Sequence, residues 1–175
     1  MTNEAAPAAA PAFPGTSALV HKHLGKIPFT GGKNSTDAII YVAPENLLEL
    51  VQGLKERREL AFDYFRNLTA IDMVEDGLTA VYHFYSYKHH HSIQVTVNTP
   101  PGNPHLPSLT SLYGAADWHE REAAEMVGLV FDGHPNLKNL LLEEDIRIHP
   151  LLKAHPLQKF EIQQGIEDTS AGFDF

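Results

Sequence analysis

The stretch between Leu78 and Asn98 constrains this chain most. LTAVYHFY (78–85) is dense in β-branched and aromatic residues. Ser92 to Asn98 alternates strictly, with Ile93, Val95 and Val97 on one face and Gln94 and Thr96 on the other. A period of two belongs to a half-buried strand and cannot serve as a helix. The polar KHHH at 88–91 falls where a turn joining the two strands belongs, so the region predicts a paired sheet with one face on a core.

The flanking segments add to that sheet. DAIIYVA (37–43) reads as a short strand. Pro44 then suits the first turn of a helix carrying Leu47, Leu48, Val51 and Leu54 at helical spacing and ending in KERRE (55–59). Phe62 to Ile71 is aromatic and β-rich, and Asp76-Gly77 signals a turn before Leu78. TPPGNPHLP (99–107) is too broken by proline for regular structure. The order strand, helix, three strands, helix predicts an α+β fold: a single mixed, largely antiparallel sheet with helices packed on one side, plus extended N- and C-terminal tails. Residues 1–16, MTNEAAPAAAPAFPGT, predict a flexible Ala/Pro-rich arm; Pro7, Pro11 and Pro14 interrupt it and no basic residue precedes it, unlike a signal peptide. Residues 17–158 form the expected domain. Residues 159–175 predict an extended tail, either plain or lying across a partner subunit through its Phe-Asp-Phe end.

Asp117 followed three residues later by Glu120 has the spacing of a helix N-cap with an acidic third position. Ala116, Ala123, Met126 and Val127 share one face, and Gly128 supplies a stop, so the spacing predicts a helix over 117–127. The apolar LVF and the turn DGHP (132–135) follow it.

Composition removes several function classes. Thirteen Lys and Arg against twenty-two Asp and Glu give a formal charge of −9, which argues against nucleic acid as a partner. The sequence has no cysteine, which excludes disulfides, thiolate zinc sites and all-cysteine iron–sulfur ligation by this chain. No stretch approaches the roughly 18 consecutive apolar residues of a membrane span. The triplet His89-His90-His91 reads as a polar turn, because adjacent residues there point apart and metal ligands must converge. His119-Glu120 lacks the second His of a zinc-protease helix, since position 123 is Ala. The carboxylates of Asp117, Glu120, Glu122 and Glu125 crowd one short helix with Arg121, a spacing that favours ion pairs over acid–base catalysis. The residues assign no catalytic, cofactor-binding or metal-ligating position.

One long string remains: GAADWHEREAAEMVGLVFDGHPNLKNLLLEEDI (114–146). Its Glu120-Arg121-Glu122, Glu125, Met126-Val127, His134, Lys138 and Leu140-Leu141 fill every specified position of a family signature. By these residues the chain resembles the C-subunit family of respiratory complex I, the NADH-quinone oxidoreductase. That family extends to related energy-converting hydrogenases and coenzyme F420 dehydrogenases. FRNLTAIDM (65–73), YHFYSY (82–87) and Pro107-Ser108-Leu109-Thr110 resemble further segments of the family. The chain departs from it at Ala124-Glu125-Met126-Val127-Gly128, where Tyr-Asp-Met-Phe-Gly is usual, and at Glu144-Asp145-Ile146, where Glu-Asp-Trp is usual.

The resemblance implies a non-catalytic subunit in the hydrophilic arm of a membrane-bound, ion-translocating enzyme. Such a subunit docks on the large quinone-site subunit beside iron–sulfur subunits, meets the membrane arm only indirectly, and lies peripherally on the cytoplasmic face. NADH, FMN, iron–sulfur clusters and quinone, or a NiFe centre in the hydrogenase alternative, are then expected in partner subunits. Asp117, Glu120, Arg121, Glu122, Glu125, His134 and Lys138 are the expected ion-paired helix and turn, fixing either an interface or the subunit's own fold. A free-standing metal-dependent hydrolase using the histidines and carboxylates is the rival from another class.

Overall fold

The computed structural model describes residues 14–33 and 38–155. The expected arm, but for its last three residues, and the whole expected tail at 159–175 lie outside those residues. Helix α1 (Pro14–Leu24) straddles the expected boundary between arm and domain.

Five strands form the main sheet: β1 (Phe29–Lys33), β2 (Ala38–Val42), β3 (Tyr64–Asp72), β4 (Leu78–Ser86) and β5 (His91–Thr99), in the spatial order β1-β2-β5-β4-β3. The hairpin is as its pattern demands: β4 and β5 are antiparallel, from Leu78 opposite Thr99 to Ser86 opposite His91. The β1–β2 and β3–β4 pairs are also antiparallel, and β2 runs parallel to β5. The parallel pair follows from the crossover, since the chain leaves β2 through α2 (Leu47–Glu56) and returns beside it as β5 only after β3 and β4. The sheet is therefore mixed and largely antiparallel. A second sheet, which the proline content of 99–107 argued against, pairs β6 (His105–Pro107) in parallel with β7 (Val130–Asp132). A three-residue strand tolerates Pro107 at its end, where a missing N–H costs little.

One face of the main sheet carries the core. Ile40 and Val42 of β2, Ile93, Val95 and Val97 of β5, Ala80, Tyr82 and Phe84 of β4, and Phe65 and Leu68 of β3 are buried together. They pack with Val20 and Leu24 of α1, with Leu47, Leu50, Val51 and Leu54 of α2, and with Ala116, Ala123 and Val127 of α3 (Ala116–Val127). All three helices thus lie on one side. Helix α2 turns Leu50 rather than Leu48 into the core, leaving Leu48 37% exposed. Its Gly53 fits against α1 because a Cβ there would fall 2.5 Å from Leu24 Cδ2. On the other face Thr96 is buried despite its expected outward position, flanked in register by Tyr41 and Val81. A bulge between Phe65 and Asn67 breaks the register of β3, where α3 packs over the sheet.

The expected polar turn holds His89 and His90, whereas His91 opens β5 and is buried. The His89 ring Nε2 meets the Arg58 carbonyl at 2.8 Å, and the His90 backbone N–H donates to Ser86 O at 2.8 Å. The His91 ring is buried against Phe62, with Nε2 2.9 Å from the Leu60 carbonyl.

Candidate functional site

Helix α3 and the coil after β7 hold every residue of the expected signature. The helix begins at Ala116 with Ala115 at the cap and no side-chain cap bond, so Asp117 is not the N-cap that its spacing predicted. Turns at Leu112, Tyr113 and Ala116, bonding back to Leu109 and Tyr113, wind the chain into the helix one residue earlier. At the far end Gly128 is left-handed, with φ 81°, and its N–H donates to Ala124 O at 2.9 Å. A Cβ at that position would also stand 3.0 Å from the His149 ring.

Glu120 does not complete a capping box. Its side chain is fully buried, accepting from Ser108 Oγ at 2.6 Å and from the Leu109 N–H at 2.7 Å. Burial, aided by the Asp117 charge and only partly offset by these two bonds, pushes its carboxyl up to about 7. His134 lies beside it with its side chain 1% exposed and Nε2 4.0 Å from Glu120 Oε2. The Asn136 N–H donates to His134 Nδ1 at 3.0 Å, which puts a ring proton on Nε2. Nε2 in turn donates to the Asp117 carbonyl at 3.3 Å and lies 3.2 Å from Asp117 Oδ1. Asp117 Oδ1 and the Tyr82 hydroxyl are buried in this neighbourhood with no well-aligned hydrogen-bond partner. Burial and the Glu120 charge raise the Tyr82 hydroxyl well above its ordinary value.

Glu125 has the opposite surroundings. One oxygen accepts from the N–H groups of Leu140 at 3.2 Å and Leu141 at 3.0 Å, and the other from Leu142 at 2.5 Å. Burial pushes this carboxyl up, but the bonds from Leu141, Leu142 and Leu140, with the Arg121 charge, outweigh it and hold it below its ordinary value. Arg121 donates from Nε to Lys138 O at 3.0 Å and from Nη2 to Asn139 O at 2.9 Å. The pair that spacing suggested between Arg121 and Glu125 gives way to these bonds to backbone, while the expected contact between helix and turn is made by His134, which faces Asp117 and Glu120. Glu122 and the Lys138 side chain are exposed, and Lys138 enters the site through its carbonyl.

Further anchors escape a reading by motif. Asn139 Nδ2 donates to the carbonyls of Glu143 and Ile146 at 2.8 and 3.0 Å. His149 Nδ1 donates to Glu125 O at 2.8 Å, and the Leu151 N–H donates to Met126 O at 2.9 Å. Asn139 lies inside the signature's variable spacing, and His149 beyond its end, so nothing in residue type marks them. Ser108 carries a usable signal, because a buried glutamate needs donors and Ser108 stands in one of the resembling segments. The arrangement fixes an irregular coil against a helix. The hydroxyl that meets a carboxylate here, Ser108 on Glu120, is buried together with it, and among the described residues no three His, Asp or Glu side chains converge on a point.

Residues 40–161 match the family described as the respiratory-chain NADH dehydrogenase 30 kDa subunit. A protein described as the C subunit of NADH-quinone oxidoreductase, from Roseiflexus sp., is 36% identical over 148 residues, covering 83% of this chain and 82% of its own length. Another of that description, from Nocardioides sp., is 37% identical over 116 residues, covering 65% of this chain and 46% of its own length. The fold recurs in a chain of the membrane-bound sulfane sulfur reductase, an archaeal respiratory membrane complex. That chain has a TM-score of 0.72 and 19% identity, with 90% of this chain and 98% of that one covered. It recurs also in a trypsin-resistant fragment of Nqo5, with a TM-score of 0.60 and 23% identity, covering 69% of this chain and 98% of the fragment. With the signature filled and most of the chain matched, this chain belongs to the family of the 30 kDa subunit of respiratory-chain NADH dehydrogenase, the C subunit of the NADH-quinone oxidoreductases.

Proposed function

We propose that the chain works as a non-catalytic docking subunit in the hydrophilic arm of its oxidoreductase, seated on the large quinone-site subunit and beside iron–sulfur subunits. One observation carries this reading: Arg121 and Glu125 of the signature bond to the backbone of residues 138–142 rather than opening toward a small molecule. Clamping a coil in one shape prepares a surface for a partner, because less ordering entropy is then lost on binding. NADH, FMN, the iron–sulfur clusters and quinone belong to the partner subunits in this reading. The chain lies peripherally on the cytoplasmic face, held by those partners. No helix among the described residues is long and apolar enough to cross a membrane, which fits a subunit anchored by others. The descriptions of the relatives favour the quinone reductase over a hydrogenase as the parent enzyme.

The test is co-expression with the large subunit and the iron–sulfur subunits. The chain is expected to co-purify with the large subunit and, when isolated, to show neither visible absorbance nor NADH oxidation. Turnover of NADH by the isolated chain, or its recovery free of the co-expressed subunits, overturns the proposal.

A further inference from the structure

The clamp that holds the coil leaves a groove between it and the second half of α3. The groove encloses about 220 Å³, and Arg121, Ala124, Leu137, Lys138, Arg147 and Ile148 are among its walls. That is smaller than the roughly 300–1,000 Å³ of a small-molecule or cofactor site, and suits one or two side chains of a protein partner. Its apolar walls are open: Leu137 is 40% and Ile148 57% exposed. Trp118, the single tryptophan of the chain, is not among the walls but is 61% exposed, with the guanidinium of the wall residue Arg121 5.6 Å from its ring. Tryptophan and arginine are enriched among the few residues that carry most of the binding energy at protein interfaces.

The charge of the groove opposes that of the chain. Arg121, Lys138 and Arg147 line it, in a sequence with a formal charge of −9. The carboxylate among the lining residues is Glu125, whose oxygens already accept the N–H groups of Leu140, Leu141 and Leu142. Glu143, Glu144 and Asp145 belong to the same coil but do not line the groove. A ligand therefore meets cations above an apolar floor.

From these observations we infer that the groove between α3 and residues 137–149 receives a segment of a partner subunit, in which a leucine-sized apolar side chain fills the floor and a neighbouring carboxylate meets Arg147 and Lys138. This rests on the docking role proposed above and says where, and by what chemistry, the partner is gripped. The carboxylate sets orientation and salt dependence, while the buried apolar side chain supplies most of the affinity.

The test uses the full chain co-expressed with the other hydrophilic-arm subunits. Arg147→Glu and Ile148→Ala are expected to lower recovery of the large subunit by about tenfold or more, as central interface residues do. Leu48→Ala, on the exposed side of α2, is expected to leave recovery unchanged. Raising salt is expected to weaken assembly of the unaltered chain and to have little further effect on Arg147→Glu. Leu137→benzoylphenylalanine, irradiated in the assembled complex, is expected to cross-link to a partner peptide with an aliphatic residue within a few positions of an Asp or Glu. Unaltered chain that fails to assemble overturns the docking role itself. Assembly of the unaltered chain and both variants alike overturns the groove and leaves the docking role standing. A cross-link to residues 156–175 of the same chain, or to a second copy, shows a different occupant and overturns the inference.

Discussion

Glu120 and Glu125 stand less than two turns apart on α3, and both are buried, yet their surroundings treat them oppositely. Glu120 faces the segment before the helix, with two donors and the neighbouring Asp117, and its carboxyl is driven up to about 7. Glu125 faces the coil after β7, with three backbone donors and the Arg121 charge, and its carboxyl is held down. Burial alone therefore does not decide a carboxylate's state; the donors aimed at it and the sign of the neighbouring charge decide it as well. The coil end is built around a charge. The core end of the helix tolerates one and is relieved by a proton.

The largest way to break this comparison is Glu125→Ala. It leaves the N–H groups of Leu140, Leu141 and Leu142 without their acceptor, which costs about 4 kcal/mol at the 1–3 kcal/mol of each unmet donor, unless water reaches them. Chemical denaturation measures the loss, and hydrogen exchange at residues 140–142 locates it. A loss below about 1 kcal/mol, with protection at those amides intact, would show that the coil is held by its other bonds.

Next comes the pH dependence, with opposite signs at the two ends. The folded chain keeps a proton on Glu120 that the unfolded chain releases near the ordinary value of 4.5. Stability from this group is therefore full below about pH 4.5 and declines as pH rises, levelling off above about 7, a span of at most about 3 kcal/mol. Glu125 runs the other way: its contribution is present above 4.5 and lost as pH falls through its lowered folded value. Glu120→Gln keeps an acceptor for the Leu109 N–H and cannot ionise. Its stability minus that of the unaltered chain is expected to grow from pH 5 to pH 7.5. A difference that stays flat across that range contradicts the assignment of the raised carboxyl to Glu120.

A smaller effect sharpens the coil end. Arg121→Lys keeps the charge but loses the fork that reaches the Lys138 and Asn139 carbonyls together. About 1–2 kcal/mol is expected, with earlier exchange in the coil than in the sheet. If Arg121→Lys matches the unaltered chain while Arg121→Ala does not, the charge acting on Glu125 matters and the fork does not.

How much of this the sequence shows depends on which atoms do the bonding. The hairpin over β4 and β5 is legible because strict alternation encodes it, and the C-terminal stop because only a glycine takes φ 81° without strain. The signature residues are legible as a set. Their partners are not, since Arg121 and Glu125 bond to main-chain groups that every residue carries, and side-chain spacing suggested a pair between them instead. Asp117 misled because a capping residue is identified by φ and ψ, and the chain enters the helix through Ala115. Strand β1, FTGGK, has neither β-branched alternation nor apolar length to announce it, and takes its place by pairing with β2. The second sheet is hidden for a related reason: β6 is three residues long and joined to β7 across α3.

Trp118 carries the smallest expected effect on the fold and separates folding from docking most cleanly. Its ring is 61% exposed and meets the Arg121 guanidinium at 5.6 Å, an interaction worth about 0.5–1 kcal/mol at an exposed site. Arg121 keeps both carbonyl bonds without the ring, so Trp118→Ala is expected to cost the isolated chain no more than about 1 kcal/mol. A tryptophan left open at this cost does little for the helix that carries it. The same substitution is expected to reduce recovery of the large subunit by about tenfold, since a tryptophan that anchors an interface typically contributes more than 1 kcal/mol to it. Thermal melting of the isolated chain and co-purification of the assembled one read the two effects separately. A melt lowered by many degrees with assembly unimpaired would make Trp118 part of the clamp and remove it from the docking face.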